Sequence, residues 1–169
     1  MSVALFSVSP SGKRRVDPDR WVDAAPFRAH LTHLCAASGL TWPVVALHAG
    51  LTLRHADALL HGREGRPARR LPRPAAQRLW QVEVGDLLVL RRTLLPADAT
   101  AHRVAVLLER GTSAARICAD LGWPPARLRS LLGRTPGRVT AVEALGVRAL
   151  AESLDRVDQR SPVRDARAA

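Results

Sequence analysis

Arginine is the side chain with the most chemistry to offer in this sequence, since of 26 basic residues only Lys13 is a lysine. A guanidinium presents a planar fork of N–H donors, which grips a phosphate or the edge of a guanine through two hydrogen bonds at once. GC-rich coding enriches arginine equally well with no function behind it, so position matters more than abundance. Arg54, Arg127 and Arg129 fall on the outward side of short helical segments and are the expected guanine readers. Thr52, His55 and Ser130 stand beside them as weaker candidates for base readout, because short polar groups near a helix start more often cap the helix or touch phosphate.

A second set of arginines follows each segment. From His61 to Arg78 the residues Arg63, Arg66, Arg69, Arg70, Arg73 and Arg78 face Glu64 alone, in a loop expected to be held open by Gly62, Gly65, Pro67, Pro72 and Pro74. Arg134 and Arg138 occupy the corresponding place later in the chain. These loop arginines are expected on phosphates, where they set affinity and register. Gly65-Arg66-Pro67 also looks like the centre of an AT-hook, whose arginine lies in a narrow minor groove.

Other chemistry finds little support. His30, His33 and His48 with Cys35 make a poor metal set, because no carboxylate stands at a matching spacing and no HExxH is present. No glycine-flanked nucleophile or phosphate-cradling loop appears, so the chain is expected not to be an enzyme and to need no cofactor. Cys35 and Cys118 lack a CxxC or paired-histidine spacing and read as small buried thiols in a reducing compartment.

Composition narrows the partner. The 26 basic against 15 acidic residues leave a formal charge of +11, which favours polyanions such as nucleic acid. Aromatic residues make up 4% of the chain, too few for the stacking platform that grips single strands. The charges at Lys13, Arg14 and Arg15 come after the apolar Val3 to Phe6, the reverse of a secretory signal, and no apolar run approaches the ~20 residues of a spanning helix. A cytoplasmic, nucleoid-associated protein with no membrane partner is therefore expected.

Sliding the chain by 72 residues lays Gly39 through Gly62 onto Gly111 through Arg134, with Gly39 on Gly111, Gly50 on Gly122 and Leu59-Leu60 on Leu131-Leu132. In the first copy, Phe27, Leu31, Leu34 and Cys35 form one face of a helix that Gly39 stops. Thr41 caps a short second helix with Val45, Ala46 and Ala49 inward. Thr52 caps a third, with Ala56, Leu59 and Leu60 inward and Arg54, His55, Asp57 and Ala58 outward. Pro72 to Val82 reads as a fourth. In the second copy a helix from about Thr100 to Glu109 ends at Gly111, and Ser113 caps the next, with Ile117, Cys118 and Leu121. Leu128, Leu131 and Leu132 line a helix begun by Pro124 and Pro125, and Thr140 with Glu143 makes a capping box for a last helix to about Leu154. Glu83 to Ala97 reads as a packed linker or a short strand.

A short helix, a glycine turn and a second helix is the helix-turn-helix arrangement. Gly50 and Gly122 supply the left-handed backbone, Ala46 and Cys118 are small where the helices cross, and Leu51 and Trp123 bury just after the turn. Over roughly Val22 to Leu154 the chain resembles the tandem helix-turn-helix proteins common in actinobacteria and their phages. VDAAPFRAHL at Val22 to Leu31, AGLTLRHADALLHGR at Ala49 to Arg63, RRLPRPAAQRL at Arg69 to Leu79 and DATAHRVAVLLERG at Asp98 to Gly111 carry that resemblance. It implies transcriptional regulators or immunity repressors with duplex DNA as ligand. Where that family shows Ser, Thr or Arg at the start of the first reading helix, this chain has Leu53 before Arg54 and His55, and Asp57 would repel phosphate.

The expectation is thus an all-α chain of two small helix-turn-helix domains, residues 21–82 and 98–154, joined by a linker at 83–97 and flanked by tails at 1–20 and 155–169. Its expected ligand is double-stranded DNA, read in the major groove by two helices per chain. A homodimer and a protein partner from the transcription machinery remain open. The rival readings are an architectural or recombination accessory protein with little base preference, and a helical adaptor that grips another protein.

Overall fold

Each stretch in which apolar residues recur every three or four positions becomes a helix in the computed structural model, which describes residues 20–62, 66–133 and 137–160, without the side chains of 158–160. The order is β1 (Trp21–Asp23), α1 (Ala25–Ser38), α2 (Trp42–His48), α3 (Leu53–Leu60), β2 (Arg70–Pro72), α4 (Arg73–Trp80), α5 (Val84–Leu90), β3 (Leu94–Pro96), α6 (Asp98–Glu109), α7 (Ala114–Leu121), α8 (Pro125–Leu131), β4 (Arg138–Thr140) and α9 (Ala141–Arg160). The chain is mainly helical, and among the described residues no helix is long and apolar enough to cross a membrane.

The repeat is visible in this order: α8 starts 72 residues after α3, as α7 does after α2, whereas β4 starts only 68 residues after β2, so the run from the start of α8 to β4 is shorter by four. The helix stops form as the glycines dictate. Gly39, Gly50, Gly111 and Gly122 all take positive φ, between 64° and 89°. Beyond Gly50 the Leu51 N–H donates to the Ala46 carbonyl at 2.8 Å, and beyond Gly122 the Trp123 N–H donates to the Cys118 carbonyl at 2.8 Å. This six-to-one bond satisfies a carbonyl that the end of the helix leaves without a partner. Ala46 and Cys118 are buried at these crossings, as is Leu51, while Trp123 is half-buried against the second core.

Two strand pairs qualify the expectation of an all-helical chain. β1 pairs antiparallel with β2, Val22 opposite Leu71, and β3 with β4, Leu95 opposite Val139. Each pair ties the chain just before the first helix of a copy to the chain just after its third. Three-residue strands are too short to show an alternation in sequence. The stretch from Glu83 to Ala97 is packed, as expected, and holds a helix ahead of a short strand: the Glu83 N–H donates to Asp86 Oδ2 at 3.0 Å at the helix start, and Leu87 enters the first core. β3 follows it.

The first core gathers Leu31 and Leu34 of α1, Val45 of α2, Leu53 and Leu59 of α3, and Leu79 of α4. The second gathers Val104 and Leu107 of α6, Ile117 of α7, Leu128 and Leu131 of α8, Val139 and Val147. Helix α9 runs on to Arg160, past the expected end near Leu154, and carries two apolar stripes. Val142, Leu145 and Ala149 pack on the first core, against α2, while Ala144, Val147, Ala151 and Leu154 close the second. A helix apolar on two faces is one buried between two layers.

Candidate nucleic-acid interface

The outer side of α3 is built from its cap onward. Thr52 is extended, and its hydroxyl accepts the His55 N–H at 3.2 Å while standing 3.1 Å from His55 Nδ1. Thr52 and His55 therefore occupy each other as an exposed cap. Leu53, at the start of the expected reading helix, is fully buried and belongs to the core. Arg54 is exposed. Asp57 is half-buried, and its Oδ1 lies 3.0 Å from Nδ1 of His61 one turn on.

A residue not singled out from sequence fixes this helix in place. Arg28 of α1 donates from Nε to the Leu59 carbonyl at 2.7 Å and from Nη2 to the Ala68 carbonyl at 2.7 Å. A cation at the carbonyl end of α3 also suits the helix dipole. The only sequence signal for this role is an arginine next to the apolar stripe of α1.

The arginine-rich connection departs from the open loop expected. A Cβ built on Gly62, at φ 74°, would stand 1.8 Å from the Arg66 carbonyl oxygen, so the backbone doubles back where only glycine fits. The Ala68 N–H then donates to the Ala58 carbonyl at 3.1 Å, folding the strip against α3. Arg66, Arg69, Arg70 and Arg73 are all exposed around β2 and the start of α4. Arg78 is exposed too, its aliphatic stem beside Gly50. Arg63 and Gly65, and with Gly65 part of the AT-hook match, lie outside the described residues.

The second copy places its arginines differently. Arg127 turns toward α9: its Nε donates to Glu143 Oε1 at 2.7 Å, and its Nη2 donates to Glu143 Oε2 at 2.8 Å and to the Arg138 carbonyl at 3.1 Å. The side chains are 29% and 19% exposed, sheltered enough for a bidentate fork to matter. The expected guanine reader is thus engaged within the chain. Glu143 also accepts the Thr140 N–H at 2.7 Å, and its own N–H donates to Thr140 Oγ1 at 3.2 Å, the capping box that the sequence predicts. The Arg127 guanidinium, with help from the Thr140 N–H, holds the Glu143 carboxyl below its usual range, and Glu143 in turn raises Arg127. Arg129, Ser130 and Arg138 are exposed, while Arg134 lies outside the described residues.

Among the described residues no group of three His, Cys, Asp or Glu stands close enough to hold a metal ion. Cys118 is buried and Cys35 half-buried, with burial pushing the Cys35 thiol up. The arrangement offers hydrogen-bond donors and positive charge on an open surface, which suits binding an extended anion. No protein-family model matches the chain, and neither does any curated protein or solved structure.

Proposed function

We propose that this chain binds double-stranded DNA as a sequence-specific transcriptional regulator of the repressor type, with α2–α3 and α7–α8 as helix-turn-helix pairs. The observation that carries this reading is the duplicated turn: the same left-handed glycine and the same six-to-one backbone bond, each followed by a helix with an exposed arginine. The exposed strip of Arg66, Arg69, Arg70 and Arg73 beside α3 supports phosphate contact.

Selection of bound duplexes from a random pool, followed by stoichiometry on the winner, tests it. A regulator enriches a common sequence and binds it about a thousand-fold or more tighter than random duplex. Replacing Arg66, Arg69 and Arg70 together by alanine weakens binding to all sequences alike and flattens the salt slope by about 3 units at most.

A second reading, an architectural protein with little base preference, draws on one observation: exposed arginines around β2 and α4 outnumber the single one on α3. It prevails if random genomic duplex binds as tightly as any selected site.

A further inference from the structure

Resting on the reading of the two helix pairs as duplex-binding elements, we propose that sequence is read by the first copy alone. Arg54 meets the base edges, and Arg69, Arg70 and Arg73 clamp the adjoining phosphates. The second copy's α8 is held out of that role by Glu143.

Three observations converge on this assignment. The first is how each helix is anchored. α3 is fixed by an arginine from elsewhere, Arg28 on main-chain carbonyls, which leaves its own exposed Arg54 uncommitted. α8 is fixed by its own Arg127, whose fork is spent on Glu143 and the Arg138 carbonyl.

The second observation is charge. A phosphate approaching α8 meets the Glu143 carboxylate that Arg127 already neutralises, and recruiting Arg127 to DNA would strand that carboxylate beside a polyanion. At the matching positions of the first copy stand His55 for Arg127 and Ala75 for Glu143, so α3 has no counterpart of that carboxylate, and its own Asp57 is half-buried beside His61. The third is the surroundings. Beside α3 the chain displays a run of exposed arginines. Around α8, among the described residues, Arg116 of α7 pairs with Asp120 and Arg148 of α9 with Glu152, while Arg129 and Arg138 are exposed.

The full chain and three surface variants decide the matter. The probes are the duplex that wins the selection and a random-sequence duplex of the same length, about 30 base pairs or three helical turns. Arg54→Ala is expected to lower affinity for the selected duplex about tenfold or more, and Arg129→Ala to lower it less than about twofold. Glu143→Gln keeps an amide oxygen for the Thr140 N–H but releases Arg127. It should therefore tighten binding to random duplex and steepen its salt slope by about one unit. The assignment falls if Arg129→Ala costs as much as Arg54→Ala, or if Glu143→Gln changes neither affinity nor slope. A wild-type chain that binds neither duplex strikes down the DNA reading itself, whereas equal losses in the two arginine variants leave that reading standing and remove only the division between copies.

Discussion

The two copies share a turn but not a core. Among the described residues the first copy's cluster holds 20 buried residues and the second's 9, so the second has far less apolar area to set against the entropy of ordering its chain. The first gains a helix that the second has no counterpart for, α5, which brings in Leu87 and is tied to the end of α1 by Arg91 Nη2 donating to the Ser38 carbonyl at 2.9 Å. The second compensates with the length of α9, which also packs Val142, Leu145 and Ala149 on the first copy. A duplicated motif thus keeps the residues that set its bends, while its stability is distributed over the pair.

That comparison breaks most visibly if the copies melt separately. We expect one cooperative transition in urea, seen alike by circular dichroism and by tryptophan fluorescence, with Leu131→Ala and Leu79→Ala each lowering stability by about 2 to 5 kcal/mol. Two resolved transitions would show that α9 does not join the cores. Next in size, Ala149→Leu overpacks the contact of α9 with α2 and should cost about 1 to 3 kcal/mol. Calorimetry that finds no loss would place that contact outside the stabilising core.

Smaller still are the turns. Gly50→Ala and Gly122→Ala should each cost about 1 to 2 kcal/mol through left-handed backbone, since neither added methyl meets a clash. Unchanged midpoints in both would contradict the shared turn geometry. The smallest effect is in the acid limb. Because the folded Glu143 pKa lies below its unfolded value, its contribution is complete above the ordinary carboxylate range and disappears as pH falls through the folded pKa. Melting temperatures recorded between about pH 3 and 6 should therefore fall less steeply for Glu143→Gln than for the wild type.

Much of the helical frame was legible from residue types. Glycine stops, the Thr52 and Ser113 caps and the Thr140–Glu143 capping box are local, depending on a handful of neighbouring dihedrals, and they form where the spacing puts them. Thr41, by contrast, is extended ahead of α2 but makes no side-chain cap. What the one-dimensional pattern could not yield were contacts between distant segments: the strand pairs, the Arg28 anchor and the Arg127–Glu143 fork, which joins residues 16 apart on different helices. The outward position of Arg127 is correct as a periodicity, yet a neighbouring helix reaches that side. The same holds for α9, whose second stripe identifies it as a buried helix only once there is something on both sides of it.

The position of α9 also bears on how the polypeptide is made. The surface of α2 is completed by a helix that begins 93 residues after His48. During synthesis the leading copy is therefore one layer short over α2 until α9 has emerged. An N-terminal module that folds before its successor emerges gains its last packing layer only when α9 arrives.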